Sequence, residues 1–100
     1  MPRESTFQRK LKAEIKERFP GCYILKNDPN CIQGIPDLLV LYKDKWAMLE
    51  VKKDANEHIK KPRPNQDVHV ERLNNMSFAS FIFPENKEDV LSAMARSFEV

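Results

Sequence analysis

One hundred residues make a single domain, 1–100, near the lower end of comfortable core size, with 41% hydrophobic residues to fill a core and 32% charged residues to solvate its surface. A formal net charge of +2 is low for a protein that holds nucleic acid by charge alone. No apolar run reaches membrane-spanning length, residues 1–16 lack a signal-peptide core, and Cys22, Cys31, His58 and His69 have neither CxxC nor zinc-finger spacing. The expectation is a cytoplasmic protein with reduced, structural cysteines, no membrane association and no small-molecule organic cofactor.

Phe7, Leu11, Ile15 and Phe19 recur every four residues and predict a first helix over 5–19. At about 100° per residue, Glu4 projects along the centre of this apolar stripe with Gln8 beside it. Glu14 lies at the stripe's edge and Glu17 nearly opposite. Glu4 is thus the acid of this helix best placed to face the interior, although the macrodipole also favours an acid in a first turn, and Glu14 or neither stays open. Pro20-Gly21 ends the helix before a short strand at 22–26. A loop with Asn, Pro and Gly covers 27–35, and strands rich in branched and aromatic residues follow at 37–42 and 46–52, around Lys43-Asp44-Lys45. Residues 53–63 are polar and basic, with Lys53, Lys60, Lys61 and Arg63. They read as a loop, either lying over the site and touching phosphates or simply solvated. Pro64 suits a helix start, so a second helix is expected over 65–76, with Gln66, Val70, Leu73 and Met76 on the face that packs on the sheet. An apolar strand at 78–83 follows. Asn86 with Asp89 then resembles a helix start, and Val90, Leu91, Met94 and Phe98 give that last helix its apolar face. The order predicts an α/β fold, a mixed central sheet flanked by helices.

The densest chemistry lies at the hairpin. A loop of two or four residues sets Leu41 opposite Trp46, Leu39 opposite Met48 and Asp37 opposite Glu50, whereas three residues would shift the register and separate the two acids. Directly opposed side chains have Cβ atoms roughly 4.5–5.5 Å apart, near enough for two carboxylates to share one hard divalent cation. The pleat points Lys52 to the same face as Glu50. Asp37 as a turn residue, with Glu50 and Lys52 on a wet strand face, is the plain alternative. Against it, both strands are apolar on both faces, and a covered face should not end in two charges unless they are paired or bind something.

Pro36-Asp37, Glu50 thirteen positions later and then Lys52 resemble the signature of the PD-(D/E)xK nuclease superfamily. Over nearly its whole length the chain is similar to the small stand-alone VRR-NUC members (virus-type replication–repair nucleases), often encoded by bacteriophages. Glu4 with Gln8 resembles the first-helix motif, Gly34-Ile35-Pro36-Asp37 the first acidic motif, Glu50-Val51-Lys52 the core, and Gln66 the glutamine that opens the following helix. Ser77 departs from the pattern, where a helix-ending glycine is expected. The resemblance implies a restriction-endonuclease-like core that hydrolyses DNA, at branched or irregular structures such as four-way junctions or flaps. It also implies a catalytic set of Glu4, Asp37, Glu50, Lys52 and Gln66.

Phosphodiester cleavage must stabilise extra negative charge. Asp37, Glu50 and the Val51 carbonyl could hold Mg²⁺ or Mn²⁺, with Glu4 binding a second cation or positioning water, and Lys52 would orient the attacking water. Residues 1–63 hold 14 Lys/Arg against 9 Asp/Glu, and residues 64–100 hold 3 against 6. Such asymmetry suits one basic surface for a phosphate backbone. Gln8, Asn27, Lys53, Lys60, Lys61 and Arg63 are the expected nucleic-acid contacts. Two-fold symmetric junctions suggest a homodimer, in the host cytoplasm if the protein is phage-encoded. The competing expectation is a non-catalytic nuclease-fold module that binds nucleic acid or a partner protein.

Overall fold

The stripe of Phe7, Leu11, Ile15 and Phe19 forms the inner face of a helix, α1 (Thr6–Arg18), and its C-cap in the computed structural model, which describes residues 5–60 (residue 60 by its backbone alone) and 65–100. Ser5 caps α1 by accepting a hydrogen bond from the Gln8 N–H at 3.0 Å, a bond typically contributing about 1 kcal/mol. There follow β1 (Tyr23–Lys26), β2 (Leu38–Tyr42), β3 (Lys45–Val51), α2 (Ala55–Lys60), α3 (Gln66–Met76), β4 (Phe78–Ile82) and α4 (Lys87–Ser97). The sheet order is β1-β2-β3-β4, antiparallel across the first three strands and parallel between β3 and β4, so it is mixed as expected.

The hairpin takes the register its parity required. Leu41 pairs with Trp46 and Leu39 with Met48 around a two-residue loop, Lys43-Asp44, in which Lys43 adopts φ +56°. Alternation then sorts the two faces. Leu38, Val40, Ala47, Leu49 and Ile82 point into the main core, where they meet Leu11 and Ile15 of α1 and Val90, Leu91 and Met94 of α4. Burying each Leu- or Ile-sized side chain contributes about 1.5–3 kcal/mol. Phe19, Tyr42 and Phe98 close one end of this core, with ring centroids 5.2–5.6 Å apart.

The second face carries Leu39, Leu41, Trp46, Met48 and Glu50, and α3 covers it beside β3 and β4. Cover is only partial, because Leu41 is 37% exposed and Tyr23 and Leu25 of β1 remain open. The expectation that both faces are fully covered holds near β4 and fails near β1. Met76, placed on the packing face of α3, is 72% exposed at the helix end, whereas Gln66 at the other end is buried.

One local expectation needs correction, and two helix termini show their own chemistry. Part of the segment read as a loop over 53–63 is α2. Asp54 accepts from the Glu57 N–H at 2.8 Å and Glu57 accepts from the Lys53 N–H at 3.0 Å, while the His58 ring stacks on Phe83 and lies tilted against Phe81. Reciprocal capping and aromatic docking override the polar composition that suggested a loop. Asn86 stands at the N-cap of α4, the helix start expected there, without a side-chain cap bond. Its amide instead accepts from the Phe83 N–H and donates to the Phe81 carbonyl, tying the end of β4. Ser77 ends α3 at φ −148°, outside the left-handed region that favours glycine, and its hydroxyl donates to the Trp46 carbonyl at 2.6 Å.

Candidate active site

The site forms where β2 begins and β3 ends. The loop before β2 turns at Gly34, whose φ of +85° lies in the left-handed region that glycine tolerates, and it delivers the fully buried Pro36 and then Asp37. The His69 ring of α3 bonds the Gln33 carbonyl at 3.1 Å and so joins this loop to the helix that carries Gln66. Asp37 Oδ2 accepts from the Val51 N–H at 2.9 Å, which draws its carboxylate across to β3 beside Glu50.

Glu50, Lys52 and Gln66 are 3%, 4% and 5% exposed, an unusual burial for such groups. The three bond to one another. Lys52 Nζ donates to Gln66 Oε1 at 2.9 Å, Gln66 Nε2 donates to Glu50 Oε2 at 2.9 Å, and Lys52 Nζ lies 3.6 Å from the same Glu50 oxygen. Gln66 suits this bridge because one amide offers an acceptor to the ammonium and a donor to the carboxylate. Phe81, opposite Glu50 on β4, has Lys52 Nζ 6.0 Å from its ring centroid and the His58 ring centroid at 4.5 Å.

Burial pushes the Asp37 carboxyl above the ordinary carboxylate range, against the opposing pull of the Val51 N–H, Lys52, Lys26 and a hydrogen bond with Glu50. Two neighbouring carboxylates are hard oxygen donors, so the donor set fits Mg²⁺ or Mn²⁺, which bind through one or two carboxylates and retain water. Among the described residues no group of three His, Cys, Asp or Glu side chains converges on one point. Among the described residues, the carboxylates placed to contribute to such a site are Asp37 and Glu50, with Val51 between Glu50 and Lys52.

The other expected site residues are placed as follows. Glu4, Lys61, Arg63 and the Lys60 side chain lie outside the described residues. Gln8 is 9% exposed on α1, so it faces the interior. Glu14, the other acid considered on α1, pairs with Lys87 of α4 at 3.2 Å. Lys53 is exposed at the start of the α2 segment. Asn27 is half-buried and its side-chain amide donates to the Pro36 carbonyl. Lys26, whose charge acts on Asp37, was not singled out in the sequence. Its proximity follows from β1 pairing Lys26 with Leu38, a register that no local pattern announces.

A mixed sheet with helices on both faces, and an acid pair with a lysine at one end of its central hairpin, define a restriction-endonuclease-like α/β domain. In comparisons with known proteins, no family model and no curated protein matches the sequence. A solved structure described as a VRR_NUC domain does match. It is 28% identical, aligns over 95% of this chain and 97% of its own, and superposes with a TM-score of 0.57. The chain is accordingly a nuclease-fold domain of the VRR-NUC type.

Proposed function

We propose that the protein is a metal-dependent DNA endonuclease that hydrolyses phosphodiester bonds and selects branched structure over sequence. One observation carries this reading: a buried, mutually bonded Glu50, Lys52 and Gln66 stand at one end of the β2–β3 hairpin, where the Val51 N–H holds the Asp37 carboxylate. Buried charge at such density is costly to stability and is expected where chemistry needs it.

Asp37 and Glu50, with the Val51 carbonyl, would hold Mg²⁺ or Mn²⁺, which when bound supplies Lewis acidity toward the phosphate and acidifies water. Lys52 has three N–H donors. One is committed to Gln66 and another is directed at Glu50, so the third can meet a phosphoryl oxygen or the attacking water. Its fixed positive charge offsets the negative charge that develops as the water oxygen bonds phosphorus and the bond to the leaving sugar oxygen breaks. Gln66 holds the ammonium and the Glu50 carboxylate at a set separation, so little reorganisation accompanies the reaction. Lys53, Lys60, Lys61 and Arg63 belong to the same proposal as contacts to the flanking phosphates, and Glu4 as a second acidic group.

The test is cleavage of labelled linear duplex, flap, splayed-arm and four-way-junction DNA in Mg²⁺ or Mn²⁺ against EDTA. Metal-dependent cutting that favours a branched substrate is the expected result. Tight binding without cutting in any cation would make the protein a non-catalytic nuclease-fold module instead.

The proposal includes a homodimer, so that two sites can address two strands of a symmetric junction. The open face at the β1 edge, with Tyr23 70% and Leu25 46% exposed, offers apolar surface for such an association. Light scattering at micromolar concentration is expected to give twice the chain mass of 11.7 kDa. A monomer mass would contradict the dimer. Among the described residues no helix is long and apolar enough to cross a membrane.

A further inference from the structure

Asn27 follows β1 directly and continues its register, facing Asp37 just as Lys26 faces Leu38. Its backbone N–H donates to the Asp37 carbonyl at 2.8 Å. Its side-chain amide donates to the Pro36 carbonyl at 2.8 Å and reaches the Met48 sulfur at 3.7 Å. Both amide hydrogens are thus engaged within the protein, and the side chain keeps no N–H for a phosphate. Across the sheet, the Val51 N–H holds the Asp37 carboxylate at 2.9 Å. Asp37 is therefore gripped by its backbone from β1 and by its side chain from β3.

Such a grip has a physical purpose. Two carboxylates in one partly dehydrated site repel each other when both are ionised, and the repulsion relaxes if the start of β2, with the Asp37 backbone, retreats out of the sheet and away from both its neighbours. The Asn27 bonds oppose that retreat and keep the oxygen donors where a cation needs them before it arrives. We infer that Asn27 is a positioning residue that acts through Pro36 and Asp37 to set the site's affinity for divalent cations, in place of the DNA contact its residue type suggested. The inference rests on the metal-site reading of Asp37 and Glu50. Groups that orient metal ligands without touching the metal typically contribute about 10–100-fold in affinity.

The experiment is calorimetric titration of Mn²⁺, without DNA, into the wild-type protein, Asn27→Ala and Asn27→Asp. Cleavage against Mn²⁺ concentration and DNA binding in EDTA are measured on the same preparations. Asn27→Asp preserves volume and the backbone bond to Asp37, so it stays informative if Asn27→Ala unfolds. It sets a carboxylate oxygen against the Pro36 carbonyl and adds a negative charge near the site. If local charge alone governed affinity, this variant would bind Mn²⁺ more tightly.

Both variants are expected to bind Mn²⁺ at least about 10-fold more weakly, to recover cleavage at saturating Mn²⁺, and to bind DNA as the wild type does. Unchanged Mn²⁺ affinity in both variants, or a loss confined to DNA binding, overturns the inference alone. A wild-type protein that binds no Mn²⁺ overturns the metal-site reading and the inference with it.

Discussion

Asp37→Asn is expected to reduce cleavage of every substrate by at least about 10³-fold while leaving the domain as stable as the wild type or more so. The substitution keeps shape and keeps an oxygen able to accept the Val51 N–H. What it removes is one of two negative charges in a shared site, and with it a hard anionic ligand. Its effect on stability has a definite sign with pH. Burial raises the folded-state pKa of Asp37 above its ordinary value of 3.8, so the folded protein binds this proton more tightly than the unfolded chain does. Stability associated with that proton is present below the ordinary value and is lost as pH rises through the elevated folded-state pKa. Asparagine has nothing to ionise. In metal-free buffer the melting temperature of Asp37→Asn relative to wild type should therefore climb as pH rises through that window and then level off. Retained turnover in the purified variant would remove Asp37 from the catalytic set, and a melting difference that is flat with pH would remove the burial effect.

Lys52→Met is expected to abolish cleavage to a similar degree but, unlike Asp37→Asn, to destabilise the protein. Lys52 is the cationic member of a buried ion pair, 3.6 Å from Glu50, and Gln66 Oε1 loses its donor at the same time. Removing one partner of a buried pair strands the other charge, at a cost of about 3–5 kcal/mol. The expectation is set at the lower end of that range, about 3 kcal/mol. For a domain of this size that corresponds to roughly 12–24 °C in melting temperature, read by thermal unfolding in EDTA at neutral pH. Adding Glu50→Gln to Lys52→Met removes both charges and is expected to recover much of the loss in stability without recovering activity. A Lys52→Met protein that melts within about 2 °C of wild type would show that the pair contributes nothing to folding. Asp37→Asn is consequently the cleaner inactive control for DNA-binding experiments.

The hairpin was readable in advance because parity is a local property. Once the strands flank a two-residue break, Leu41 must meet Trp46, and the acids at 37 and 50 converge without further information. The helical stripe from Phe7 to Phe19 was readable for the same reason, being a period written within one element. α2 was misread although Asp54 and Glu57 carry a capping signal, because its six residues gain their packing from His58 on Phe81 and Phe83, two residues more than twenty positions away. Asn86 has a residue type that suits a cap, but the end of β4 competes successfully for its amide.

The sequence by itself therefore determined the order of every element but α2 and, for a loop of two or four residues, the hairpin facing that brings Asp37 beside Glu50, since both follow from periods along short stretches of chain. Tertiary structure decided that Gln66 bridges Glu50 and Lys52, that Asn27 grips the backbone of Pro36-Asp37, and that Lys26 adds its charge to Asp37. These are hydrogen bonds and charge contacts between separate elements. Their geometry depends on how a crossover helix and an edge strand settle against the sheet, and no period along the chain encodes it.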